Sequence, residues 1–163
     1  MTEQRGHVIV VGVDGTPGSD AALDFALSEG LNRGCTVEVV TGWLWTSSSD
    51  GFAPTGTLAE GRAEISRMQD AQLTAALTRL GATPSLSQLV VHDYAGRVLV
   101  ARADHAAMLI VSGGTQALAS RKPVGSVAEY CVRYSTAPVV VVPDPDRARR
   151  RGAGLELRDV AAS

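Results

Sequence analysis

Gly125-Ser126 is the pair whose residue types most directly suggest chemistry in this 163-residue chain. A glycine followed by a serine at a helix start presents free backbone N–H groups, the positive end of the helix dipole and a hydroxyl donor. That combination suits an anion such as phosphate, which gains about 0.3–1 kcal/mol from the dipole alone. The pair reads equally as a plain helix cap, since serine is a favoured N-cap whether or not anything binds. Three further segments carry turn or polar residues behind apolar runs: Val13-Asp14-Gly15, Thr41-Gly42 and Ser112-Gly-Gly-Thr115.

Other chemistries find less support. His7, His92 and His105 lack close metal-ligand spacing. There is no Gly-x-Ser-x-Gly elbow and no evident base for Ser126, which counts against a hydrolase triad. The first turn is not Gly-x-Gly-x-x-Gly, and no Walker Gly-Lys-Ser/Thr occurs, so neither NAD nor P-loop binding is expected. Arg147 and Arg149 to Arg151 form a short basic run that reads as solvated tail. Trp43 and Trp45 alternate at a strand end, where core or dimer packing is expected rather than base stacking.

The elements that must position these residues follow from the apolar pattern. His7-Val-Ile-Val-Val-Gly-Val13 is a near-continuous β-branched run, the mark of a strand covered on both faces. Residues 19–32 place Ala22, Leu23, Ala26, Leu27 and Leu31 at helical spacing, with Gly34 as a stop. Residues 35–41 read as a second strand, and this β-α-β opening implies two parallel strands with a right-handed crossover. Residues 46–57 read as an exposed loop. A helix is predicted over 58–80, with Ile65, Met68, Ala76, Leu77 and Leu80 on its buried stripe and Gly81 closing it. A third strand is predicted over 85–91, then a short helix from Tyr94 carrying Val98, Leu99 and Ala103. Met108-Leu-Ile-Val111 reads as a fourth strand, 112–124 as a polar loop, 125–134 as a helix and Pro138-Val-Val-Val-Val-Pro143 as a fifth strand. Such alternation specifies an α/β fold, a doubly wound parallel sheet with helices on both faces. In such sheets ligands lie beyond the carboxyl ends of the strands where the order reverses, which brings the four polar segments together.

Composition agrees with one soluble domain: 45% hydrophobic, 20% charged and 4% aromatic residues, so the core is aliphatic. A formal net charge of −2 argues against a dedicated nucleic-acid binder. No apolar run approaches the roughly 20 residues of a membrane span, and the N-terminus lacks a secretory pattern. Cys35 and Cys131 lie in apolar segments and read as reduced core thiols of a cytoplasmic protein. The domain is expected over 1–143, with 144–163 as a mobile Arg-rich tail.

Taken in order, these residues resemble the universal stress proteins from about Val8 to Pro143. The resemblance rests on Gly12-Val-Asp14-Gly15 with Ser19 and Ala22-Leu23, then Gly96, Asp104 and Leu109-Ile-Val111. It continues with Gly125-Ser126-Val127-Ala128 and the ending Ala137-Pro138-Val139 to Val142-Pro143. It implies a five-stranded flavodoxin-like (Rossmann-like) sheet of order 3-2-1-4-5 and a homodimer, here through the apolar edge strand Val139, Val140, Val141 and Val142. One branch of the family binds ATP and another does not. For a binding member, the resemblance implies ATP, with Mg alongside, at Gly12, Val13, Asp14, Gly42, Gly113, Gly114, Gly125, Ser126 and Val127. Asp14 then stands beside ribose or adenine, though a helix-capping role fits it equally. Gly42 falls where a valine often meets adenine, so one apolar wall is missing. Arg121 and Lys122 precede Gly125 and could neutralise phosphate or simply face solvent. The binding branch carries Gly, two residues, Gly, nine residues, then Gly-Ser or Gly-Thr; here the first two positions are Ser112 and Thr115. A non-glycine forced into a left-handed conformation there costs about 1–2 kcal/mol. Alternatively, Gly113-Gly114 absorb the unusual dihedrals by a register shift. Two functions therefore stand side by side: a weak adenine-nucleotide-binding regulatory dimer, and a nucleotide-free interaction module acting through its dimer surface on a protein partner. ATP hydrolysis is a third and weaker reading, because no base for an attacking water is evident.

Overall fold

The β-branched runs become strands and the stripes between them become helices in the computed structural model, which describes residues 7–44, 56–114 and 124–146. In chain order the elements are β1 (Val8–Gly12), α1 (Pro17–Arg33), β2 (Thr36–Trp43), α2 (Leu58–Leu80) and β3 (Leu86–His92). They continue with α3 (Ala95–Arg102), β4 (Met108–Ser112), α4 (Ser126–Tyr134) and β5 (Val139–Val142). The sheet has the order β3-β2-β1-β4-β5 with every pairing parallel, as the sequence implies. The point of reversal lies between β1 and β4, where Ile9 pairs with Met108 and Val11 with Ile110.

Alternate strand residues serve opposite faces. Ile9, Val11, Val37, Val39 and Ile110 pack under α1 and α2, while Val10, Val40, Leu109 and Val111 pack under α3 and α4. Helix ends follow local chemistry. Thr16 caps α1, Pro17 opens it, and Gly34 closes it at φ 63°. Thr57 and Glu60 form a reciprocal capping box on α2, which Gly81 ends at φ 70°. Hydrogen bonds from Thr57 to the Glu60 carboxylate hold that group below the usual carboxylate range.

Two stripe expectations need correction. Leu31 is 41% exposed. The inner face of α1 runs through Ala22, Ala26 and Gly30, and Gly30 lets the last turn settle against Val37, which turns Leu31 outward. On α2 the fully buried line is Gly61, Gln69, Gln72, Leu73 and Ala76; Ile65, Met68, Leu77 and Leu80 are only half-buried. Two glutamines occupy the place expected for aliphatic residues because their amides find partners there.

Cys35 and Cys131 are buried and not joined in a disulfide, and burial pushes the Cys131 thiol up to about 11. Trp43 is buried with its ring 4.7 Å from that of His92, which fits core packing. Asp144, just past β5, is buried, and its Oδ1 accepts from the Asp146 N–H at 2.9 Å. Trp45, Thr115, Arg121, Lys122, the Arg147–Arg151 run and most of the expected tail lie outside the described residues. Among those described, no helix is long and apolar enough to cross a membrane.

Candidate functional site

A cavity of about 280 Å³ opens at the carboxyl ends of β1 and β4. Its apolar walls come from Val40, Leu99, Val111, Val127 and Ala128, and its polar lining from Asp14, Thr16, Ser19, Ser112 and Ser126. The volume is near the lower end of small-molecule sites, about 300 Å³.

The β1 side is a compact turn. Val13 ties it to the sheet: its N–H donates to Val40 O at 3.0 Å, and its carbonyl accepts from Thr41 Oγ1 at 2.9 Å. Asp14 is exposed, and its Oδ1 accepts from the Thr16 N–H at 3.0 Å and from Thr16 Oγ1 at 2.5 Å. Thr16 Oγ1 in turn accepts from the Ser19 N–H at 3.4 Å, and the Asp14 N–H donates to Ser19 Oγ at 3.3 Å. The capping role of Asp14 is thus indirect: it holds the threonine that caps α1.

The β4 side is built from backbone. Ser112 remains in the strand, paired with Val142, and the Gly113 N–H donates to Val142 O at 2.8 Å. Gly114 turns away at φ 81°, and the Gly125 N–H returns to Gly113 O at 2.7 Å. A Cβ built on Gly114 would stand 3.1 Å from Gly125 Cα, and one on Gly125 would stand 3.3 Å from Gly114 Cα. Among the described residues of this loop the left-handed one is Gly114, and Ser112 carries no left-handed strain. The reading of Ser126 as a cap is also corrected. Gly125 is the N-cap of α4 and has no side chain to cap it, so among the described residues no side-chain cap meets the first N–H groups of the helix, where Ser126, Val127 and Ala128 line the cavity.

Of the residues singled out from sequence, Gly12, Val13, Asp14, Gly42, Gly114, Gly125, Ser126 and Val127 line this one cavity. Gly113 does not; both its backbone groups are spent on holding β5 and α4. Gly42 has a packing reason, since a Cβ there would stand 2.5 Å from Ala95 Cα. The start of α3 therefore occupies the wall that a larger side chain would supply. Ala95 and Leu99 escaped sequence reasoning because only the sheet crossing brings α3 to this end. Ser19 and Thr16 carried a signal in Thr16-Pro17-Gly18-Ser19, which reads as a helix start and equally as cavity lining. Among the described residues no group of His, Cys, Asp and Glu could hold a metal ion.

The sequence model of the universal stress protein family matches residues 7–143. A search of curated protein sequences found no match. Among solved structures, a universal stress protein in complex with cAMP is 20% identical, with a TM-score of 0.61 over 86% of this chain and 99% of its own. The universal stress protein from Archaeoglobus fulgidus in complex with dAMP is 20% identical, with a TM-score of 0.58 over 85% and 99%. A protein of the same family from Burkholderia pseudomallei is 24% identical, with a TM-score of 0.57 over 86% and 98%. At these identities the likeness concerns the fold.

Proposed function

The chain belongs to the universal stress protein family, and from that premise we propose that it binds an adenine nucleotide, ATP or a shorter relative, as a non-catalytic regulatory dimer of the cytoplasm. The observation that carries this reading is the start of α4, where the N-cap Gly125 offers no side chain to the first amides and the cavity beside them is narrowed by the Gly114–Gly125 backbone contact. Phosphate oxygens suit those N–H groups, and Val40, Leu99 and Val111 offer apolar surface for a base. Support from relatives is their crystallisation with cAMP and dAMP. Mg would sit with the phosphates on one carboxylate, and Asp14 is the carboxylate in the described lining. Bound there, it would neutralise phosphate charge. Cys35 and Cys131, buried and not joined in a disulfide, suit a reducing compartment.

Titration calorimetry with ATP and AMP tests the site. Gly125→Val brings a branched side chain against Gly113 O and Gly114 Cα, and the expected loss is at least about tenfold in affinity. Unchanged binding by that variant moves the site elsewhere. Dimerisation is proposed through β5, an edge strand whose four valines are all half-buried in the single chain. Val140→Lys should then run at monomer mass in light scattering at micromolar concentration.

The second reading, a nucleotide-free interaction module, is favoured by the small cavity and by Ala95 filling the place beside Gly42. Purified protein free of nucleotide, and silent in calorimetry while still dimeric, would put this reading first.

A further inference from the structure

The turn that carries Asp14 is secured from a distance by one buried amide. Gln72 of α2 is 7% exposed. Its Oε1 accepts from the Gly15 N–H at 3.1 Å. Its Nε2 donates toward Ser19 Oγ and Asp20 Oδ1, both at 2.8 Å, and Thr16 O at 3.2 Å. One turn earlier Met68 covers Gly15, where a Cβ would stand 2.8 Å from its Sδ.

The bonds among Asp14, Thr16 and Ser19 span at most five residues, so they define the shape of the turn without placing it relative to the sheet. Placement needs partners from elsewhere in the chain. Val13 supplies them on the strand side through Val40 and Thr41. Thr41 Oγ1 itself accepts from Gln69 Nε2 at 2.9 Å, so α2 reaches the turn by two routes. Beyond Val13, the hydrogen bonds that join residues 14–19 to distant parts of the chain all involve Gln72 among the described residues.

We infer that Gln72 is a positioning residue of the nucleotide site: it locks the β1–α1 turn in the form that presents Asp14 and Thr16 to the cavity, and so couples the docking of α2 to ligand affinity. This rests on the nucleotide-binding reading above. The role differs from simple core filling because a leucine of similar size would pack but would leave the Gly15 N–H without its partner. The charged groups at this junction are Asp20, bonded to Gln72, Arg79 of the same helix, which attracts Asp20 electrostatically, and Asp14, whose carboxylate is held by Thr16 while its backbone N–H shares the Ser19 hydroxyl with Gln72.

The experiment compares wild type, Gln72→Leu, Gln72→Glu and Leu73→Ala. Leu73 is buried in the same helix and serves as the control for stability loss alone. Amide hydrogen exchange of the ligand-free proteins is read at Asp14 and Thr16, and ATP affinity by calorimetry. Gln72→Leu should exchange about tenfold faster at both amides and bind about tenfold more weakly, while Leu73→Ala stays within about threefold of wild type in both. Gln72→Glu keeps the acceptor for Gly15 but faces Asp20 with a second carboxylate. Its affinity, relative to wild type at the same pH, should be low at pH 8 and recover towards pH 5 as the carboxyl gains a donating proton. Equal exchange in Gln72→Leu and Leu73→Ala overturns the lock, as does a Gln72→Glu affinity that ignores pH. If wild type binds no ATP, the proposed function fails by itself, and exchange alone then decides the lock in the same way.

Discussion

On the α1–α2 face of the sheet, side chains from distant parts of the chain hold the rim of the cavity. Gln72 meets Gly15, Thr16 and Ser19, and Gln69 reaches Val13 through Thr41. On the α3–α4 face the rim is held by backbone meeting backbone: Gly125 on Gly113 and Gly114, and Gly42 on Ala95. The first solution needs particular functional groups at particular places. The second needs the absence of a side chain. A polar rim is adjustable, because each hydrogen bond contributes only about 1 kcal/mol net. A rim made of glycine contacts is close to all-or-none, since adding a Cβ forces main chain to move.

The largest test of that contrast is Gly42→Val. Its Cβ would lie 2.5 Å from Ala95 Cα and 3.0 Å from Ala95 N, so α3 must shift. Urea unfolding should show a loss of about 3 kcal/mol. A loss below about 1 kcal/mol would mean that the α3–α4 face yields as easily as the other.

Thr41→Val is the matching change on the polar face. It keeps the shape but removes the hydroxyl that donates to Val13 O and accepts from Gln69. The buried groups left behind should lower stability by about 1–2 kcal/mol in the same assay. Pairing it with Gln69→Leu in a double-mutant cycle should recover part of the loss, because both partners of the bond are then gone.

Ser112→Gly should change little. Ser112 is an ordinary strand residue beside Gly18, and the left-handed position is Gly114. Stability should fall by no more than about 1 kcal/mol, the entropic cost of glycine in a strand. Any ATP affinity should stay within about threefold in calorimetry. A large gain in affinity would show that strain does reside in β4.

The smallest effect is silent at neutral pH. The Cys131 thiol lies in the aliphatic α3–α4 core, and burial raises it to about 11 from an ordinary 9.0. A raised thiol means that the folded state holds its proton longer. Its contribution is therefore complete below about pH 9 and is lost as pH rises through about 11. Cys131→Ala should flatten the fall in stability between those values, as measured by urea midpoints across the alkaline range.

Much of the site was legible before any coordinates. Asp14, Gly114, Gly125 and Ser126 can be picked out because glycines and turn residues announce positive φ, close approach and helix starts by type alone, whereas Gly12 comes only through the family resemblance. The Ser112 and Thr115 departures from the glycine pattern were equally visible, but not their consequence, because which of several adjacent residues takes the left-handed turn depends on where β4 stops pairing with β5. Pairing continues through Ser112, and among the described residues of this loop the left-handed one is Gly114.

The α2 glutamines show the opposite case. Periodicity sorts residues by hydropathy, and glutamine counts as polar, so the expected stripe holds Ile65, Met68, Ala76, Leu77 and Leu80, of which Ala76 is buried and the others are half-buried. Gln69 and Gln72 lie buried beside it because carbonyls and hydroxyls reached across the fold accept from their amides. Those acceptors, among them Val39 O, Leu89 O and Thr16 O, lie 20 to 56 residues away in the chain. No window of sequence contains both ends of such a bond.

What the sequence determined by itself is the alternation of elements and the parallel sheet, since each follows from properties of single residues and their nearest neighbours. What only the tertiary structure decided is which face of α2 turns inward, that α3 closes the wall beside Gly42, and that one amide holds the Asp14 turn. These depend on groups meeting across the sheet, and the free energy of such a contact exists only once both partners have been brought to the same place.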